Sequence, residues 1–319
     1  MKSISVVLPN YNGASLLKEN LPYVYEALRS SSIGDFEVIV ADDASTDDSI
    51  VFLEQHYSEI KIIKNTKNKG FSSNVNSGIF AAEKELVLIL NTDVKLSDDY
   101  FIPLLPYFEH ADTFGVTGRI MSMDASKIQD GAKFPSVSFG SIIATKNYIS
   151  DQRQCLYSLF LSGANALVDR KKLLEIRAFN TLFDPYYFED VDLGLTAWQM
   201  GYKLYYVHDV VCYHPNSATI NKQPSLKVKR IAKRNKLLLH YLHLNTFAWT
   251  YFIVLFILKM CGRMLIFDMF YYKVLRDFLS IRREAQARRT RFKHIRKQTL
   301  GDMKKTILTD IRGLEIVKF

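Results

Sequence analysis

Between residues 3 and 90, short apolar runs alternate with stretches whose apolar positions recur at helical spacing. The run 3–8 (SISVVL) is rich in β-branched residues and reads as a buried strand ending at Pro9, which cannot donate to a ladder. Residues 13–30 carry Leu16, Leu17, Leu21, Val24 and Leu28 on one helical face. A second strand follows at 36–41 (FEVIVA). Thr46 or Asp47 is placed to cap a helix reaching about His56. Residues 60–63 read as a third strand, 71–82 as a helix and 86–90 (LVLIL) as a fourth strand. This alternation predicts a parallel sheet with helical crossovers, and continuous apolar strands predict helices on both of its faces.

The pattern weakens after 97. A helix over 98–108 and a strand over 114–118 are predicted, whereas 125–150 carries no assignable period. Helices over 169–176 and 191–200 and a strand over 203–212 complete the body. Beyond 221 the composition shifts: 227–236 and 282–305 are dense in base, and 246–258 is almost wholly apolar. Two units are therefore expected, a body over 1–221 and a basic helical tail over 222–319.

Charge sharpens that division. Residues 1–221 hold 19 basic and 27 acidic side chains, and 222–319 hold 23 and 6. A net −8 body thus carries a +17 tail suited to anionic partners, with anionic lipid preferred because no nucleic-acid motif occurs. The apolar stretch 247–258 is shorter than the roughly 20 residues needed to span a bilayer, so it is expected to lie in or on one leaflet. Cys155, Cys212 and Cys261 are far apart and odd in number, which fits a reducing compartment. Residues 1–9 enter a strand directly and lack the basic-then-apolar order of a secretory signal, so the body is expected in the cytosol, at the membrane's cytoplasmic face.

In an open parallel sheet, ligands bind beyond the carboxyl ends of the strands. Three polar clusters sit there: Pro9-Asn10-Tyr11-Asn12-Gly13, Asp42-Asp43-Ala44-Ser45-Thr46-Asp47 and Asn91-Thr92-Asp93. Turn chemistry explains any one of them alone; three on one edge point to a site. Asp42 lies too early for a helix cap and can accept from a base N–H or a ribose. Asp93, at the mouth of an apolar strand, suits a hard divalent cation bridging phosphates. Glu189, Asp190 and Asp192 open a helix after the aromatic run 184–188, a setting that raises a carboxyl pKa towards that of a general base. His214 ends the last strand and is by itself unremarked.

Together these blocks resemble the family-2 glycosyltransferases of GT-A fold, in particular the bacterial rhamnosyl- and galactofuranosyltransferase-like members. The matching blocks are VVLPNYNG (6–13), VIVADDASTDDS (38–49), NKGFSSNVNSGI (68–79), LILNTDV (88–94), SGANALVDRKKL (162–173), FEDVDLGLTAWQMGYKL (188–204) and VVCYHPNSA (210–218). The resemblance implies a Rossmann-like, mostly parallel sheet and an inverting transfer from a nucleotide-diphosphate sugar to a saccharide or lipid-linked saccharide hydroxyl. It implies that Pro9, Tyr11, Asn12, Asp42 and Asp43 hold the nucleoside. Asn68, Gly70, Asn74, Asn76, Asn91, Thr92 and Glu189 would line the donor pocket, and Gly163 and Ala164 would border sugar and acceptor. Asp93 and His214 would hold Mg²⁺ or Mn²⁺, and Asp190 would be the base. The usual Asp-x-Asp metal motif is Asn91-Thr92-Asp93 here, so only its last acid remains. A sugar-phosphate nucleotidyltransferase would share the layered core but should carry a Gly-rich phosphate loop near the N-terminus, which PNYNG is not. A non-catalytic nucleotide-sugar binder is the other alternative.

Overall fold

The computed structural model describes residues 2–319 except 32, 139 and 216–224. The elements run β1 (Ile4–Asn10), α1 (Ala14–Ser30), β2 (Phe36–Asp42), α2 (Ser49–His56), β3 (Lys61–Lys64), α3 (Phe71–Ala81), β4 (Leu86–Leu90) and β5 (Lys95–Leu96). There follow β6 (Thr113–Met121), β7 (Ile128–Asp130), β8 (Ala132–Lys133), β9 (Ser136–Ser138), β10 (Ser141–Ile143), β11 (Asn147–Ile149), β12 (Cys155–Tyr157) and β13 (Asn165–Asp169). Then come α4 (Arg170–Glu175), α5 (Glu189–Gln199), β14 (Lys203–Tyr213), α6 (Ser225–His243), α7 (Thr246–Met264), α8 (Phe270–Ser280), α9 (Arg282–Lys293), α10 (Leu300–Asp310) and β15 (Val317–Lys318).

The central sheet has the order β12-β14-β6-β13-β4-β1-β2-β3. Strands β3, β2, β1 and β4 are mutually parallel, and β14 is parallel to β6; β13 runs antiparallel between β4 and β6. β1 continues through Pro9 to Asn10 rather than stopping at the proline. Its pairing with β4 ends at Val7, so the missing Pro9 N–H costs no bond on that side. Side chains alternate across the sheet: Ile4, Val6 and Leu8 pack with α1 and α2, whereas Val7 and Ile39 pack with α3 and α5. This is a mixed α/β fold with a mostly parallel central sheet covered on both faces.

One expectation fails. No regular helix forms over 98–108; turns lead into a single 3₁₀ turn, Leu105–Glu109. Pro103 and Pro106 remove two N–H donors within six residues, which breaks an α-helical ladder. The basic region is helical, as expected, and packs against the body. The expected boundary at 221 lies outside the described residues, as do the last three of the block 210–218. Beyond them, Leu237, Leu242, Phe278, Phe292, Met303 and Ile307 belong to the same apolar core as α3 and α5. β15 closes the arrangement by pairing with β11. α7 has 19 residues, longer than the apolar stretch alone, and its mean hydropathy reaches 1.4. It is the one helix among the described residues long and apolar enough to cross a membrane, on length and composition only.

Candidate active site

Asp42 and Asp43 end β2 beside the end of β1 and are both 3% exposed. Asp42 accepts from Asn10 Nδ2 (2.8 Å), the Ser45 hydroxyl (2.5 Å) and the Ser45 N–H (2.9 Å). Asp43 accepts from the N–H groups of Lys69 and Gly70, each at 3.0 Å, and from Asn65. Both carboxylates are engaged within the chain. Their lone pairs hold the loops that shape the end of the sheet. Asn12, in the left-handed region, accepts from the Thr46 N–H at 2.8 Å. Asp47 does not cap α2 alone: it accepts from Ala14 and Ser49 and ties the starts of α1 and α2 together. Pro9 is partly covered, and the Tyr11 ring is 48% exposed.

Asn74 and Asn76 bond to backbone groups. Both are buried. Asn74 donates to the carbonyls of Asn10 and Ala41, and Asn76 exchanges two bonds with the Phe179 backbone. They brace the cleft from behind, whereas Asn68 is exposed. Gly70 has φ +99, and a Cβ there would lie 2.6 Å from Pro185 Cα. The absent side chain lets the α3 N-terminus close onto 184–185. The Phe71 N–H donates to the Pro185 carbonyl, and Ser72, Ser73 and the Ser73 hydroxyl donate to the Asp184 carboxylate. Gly70→Ala is expected to lower stability by about 1–3 kcal/mol through a strained left-handed residue. An unchanged thermal midpoint would show that the contact yields freely.

Opposite lies the third cluster. The Asn91 N–H donates to the Ala164 carbonyl (3.0 Å), and the Thr92 carbonyl accepts from Asn20 (3.0 Å). A Cβ on Gly163 would sit 3.8 Å from Asp190 Cβ. Asp93 Oδ1 lies 3.2 Å from His214 Nε2, yet that buried oxygen has no hydrogen-bond partner because the ring is poorly aligned with it. An orphaned carboxylate oxygen facing an imidazole nitrogen fits a shared cation. Among the described residues, no group of three acids, histidines or cysteines is placed to hold a metal ion.

The loop 184–188 carries Tyr187 and Phe188 at φ +78 and +73, strained values for aromatic residues. It is held from α6: Arg234 donates to the Asp184 carbonyl, and Asn235 Nδ2 lies 2.7–2.9 Å from the carbonyls of Phe183, Tyr186 and Tyr187. Sequence reasoning missed Asp184, Arg234 and Asn235 as builders of the site. Their partners lie up to 112 residues away, so no local pattern could have found them.

Glu189 and Asp190 follow that loop at the start of α5. Burial raises the Asp190 pKa to about 6, with the nearby Lys133 ammonium offsetting part of the rise. Burial and then the Asp190 charge push Glu189 to about 8. Both carboxyls are thus held above the ordinary carboxylate range, Glu189 further than Asp190. Glu189 Oε2 and the Tyr186 hydroxyl are likewise buried without hydrogen-bond partners. Asp192 has a different role. It is 1% exposed, 2.7 Å from His243 Nε2 and 3.3 Å from Arg288. A cavity of about 680 Å³ lies elsewhere, bordered by Gln199, His243, Asn245 and Arg296, and none of the predicted site residues lines it.

The sequence-predicted acids are thus joined through contacts: Asp43 to Gly70, Gly70 to 184–185, the same loop to Asp190, Asp190 to Gly163, and Ala164 to the strand end before Asp93. Residues 5–177 match the glycosyl transferase family 2 model. The chain belongs to glycosyl transferase family 2. Among the relatives of this family 2 chain is the amylovoran biosynthesis glycosyltransferase AmsB of Erwinia amylovora, 28% identical over 209 residues covering 63% of this chain and 65% of that one. The chain spans 65% or less of the length of the first curated relatives it matches. Its fold is similar to GalNAc-T7 solved with UDP, GalNAc and Mn²⁺, with TM-score 0.61 and 16% identity over 79% of this chain and 50% of that chain. It is also similar to S. aureus TarS 1-349 solved with UDP-GlcNAc, with TM-score 0.56 and 16% identity over 98% of this chain and 92% of that chain. Asp190 lies beyond the segment that the family 2 model covers.

Proposed function

We propose that the chain transfers a sugar from a nucleotide-diphosphate donor to a hydroxyl of a saccharide or lipid-linked saccharide, inverting the anomeric centre, in surface polysaccharide or glycolipid synthesis. The observation that carries this reading is the geometry at the start of α5, where Asp190 lies beside Gly163, together with Asp93 facing His214 at 3.2 Å. Tyr11 offers an open ring for the nucleoside base to stack on, beside loops already rigidified by Asp42 and Asp43. Asp190 takes the proton from the acceptor hydroxyl as its oxygen attacks the anomeric carbon from the face opposite the leaving diphosphate. One such displacement inverts that carbon. Glu189, protonated at neutral pH, can donate to a sugar or acceptor oxygen without competing for the same proton.

Asp93 and His214 are the side chains that would hold Mg²⁺ or Mn²⁺. When bound there, such a cation would supply positive charge against the departing diphosphate. Asp93→Ala is then expected to lower metal-dependent turnover by about 100-fold, several kcal/mol of charge stabilisation. A chelator should bring the wild type down to the variant's level. Wild-type activity indifferent to chelator would defeat the metal assignment.

The deciding experiment is a screen of nucleotide sugars for binding, with rhamnosyl and galactofuranosyl donors tried first, followed by turnover on lipid-linked acceptors. Donor binding with no transfer to any acceptor would favour a non-catalytic binder. Release of pyrophosphate would favour a nucleotidyltransferase.

A further inference from the structure

α7 is apolar around its whole circumference. Trp249, Phe252, Ile253 and Phe256 point inward and pack on the core. Its outward stripe is open: Phe247 is 76% exposed, Val254 48% and Leu258 63%. Beyond Ile257 the helix leaves the body. A Cβ on Gly262 would meet nothing within 4 Å, and the turn into α8 exposes Leu265 (83%), Ile266 (66%) and Phe267 (93%). Single exposed apolar residues are ordinary on a protein surface, but a continuous apolar stripe ending in a bare apolar tip marks a contact surface.

We infer that the α7–α8 tip, residues 257–269, enters one leaflet of an anionic bilayer and anchors the protein there without crossing it. This inference stands independently of the transfer reading. Depth comes from geometry. Residues 257–264 rise about 11 Å at 1.5 Å per residue, well short of the roughly 30 Å hydrocarbon core. The preceding half of α7 cannot follow them into lipid, because its inward face is packed on the core. Charge at the tip is managed to suit entry. Arg263 Nε donates to Asp268 at 2.9 Å, which cancels both charges. Lys259 lies 5.1 Å above the Tyr271 ring and is long enough to reach the head groups. Exposed Lys273, Arg276, Arg282 and Arg283 follow in the next two helices, within a region of 23 basic and 6 acidic side chains. That imbalance selects an anionic lipid surface over a second copy of the same basic region.

The experiment uses the full chain with vesicles of phosphatidylcholine alone and vesicles that also contain phosphatidylglycerol. The wild type should float with the anionic vesicles and far less with the neutral ones. The double substitution Leu265→Glu with Phe267→Glu touches no packed contact and should weaken that binding on the order of 100-fold or more, since two apolar side chains lose their burial. Its circular dichroism should not change. Cys261, the exposed cysteine beside the tip, gives a second reading on the unaltered protein. It should react with a membrane-impermeant maleimide in solution and be shielded once anionic vesicles are added. Equal flotation of wild type and variant, Cys261 equally reactive with and without vesicles, or a concentration-dependent dimer broken by the substitutions with no flotation would each overturn the proposal.

Discussion

Replacing Asp190 with asparagine is expected to lower kcat by about 10²–10⁴-fold, the usual contribution of a positioned base. Donor affinity should hardly move, because the amide keeps the carboxylate's shape and the donor-side loops rest on Asp42, Asp43 and Gly70. The pH profile supplies the sign. Burial raises the Asp190 pKa to about 6, and only the ionised form accepts a proton. Wild-type kcat should therefore climb as pH rises through about 6, while Glu189, raised to about 8, loses its proton on the alkaline side and can bend the profile back down. Because the two acids are neighbours, the two inflections belong to the pair. A variant that retained its acid limb and most of its rate would remove Asp190 from the role of base.

Asp192→Ala is expected to cost about 3–5 kcal/mol of stability, the usual penalty for removing one member of a buried charge cluster. Burial alone would raise this carboxyl's pKa; Arg288 and then His243 outweigh it and hold the group below the ordinary carboxylate range. A depressed folded-state pKa means that its contribution is fully present above the unfolded value of about 3.9 and fades as pH falls below it. Urea unfolding at neutral pH should show the full deficit, and the gap between wild type and variant should narrow towards pH 3. A neutral-pH difference below about 1 kcal/mol would mean that Arg288 and His243 find solvent or other partners unaided.

The first half of the fold was legible because each parallel strand is a continuous apolar run ended by polar turn residues. Asp93 lies beside His214 and Asp190 beside Gly163, groups up to 121 positions apart in chain number. What escaped the sequence follows a pattern. β13 is short, and its antiparallel insertion between β4 and β6 has no periodic signature. The helix expected over 98–108 was defeated by two prolines inside an otherwise suitable apolar spacing. Asp42, Asp43, Asn74 and Asn76 stand where a pocket would need polar atoms, but each finds backbone partners that no one-dimensional pattern specifies. How the basic region packs was hidden because its exposed charge dominates its composition. Its buried leucines and phenylalanines, at ordinary helical spacing, carry no mark of which surface they face.

The salt-bridged Asp192 also limits how this molecule can be recombined with its relatives. The carboxylate sits in α5, and its two partners, the His243 imidazole and the Arg288 guanidinium, arrive from α6 and α9. A crossover near residue 177 would transplant the acid, its neighbours at 189 and 190, and both helices that supply its partners as one inherited block, leaving the first half of the chain to the other parent. A crossover anywhere between 192 and 288 would divide that trio between two ancestries, and the hybrid would have to find a new counter-ion for a charge that water does not reach.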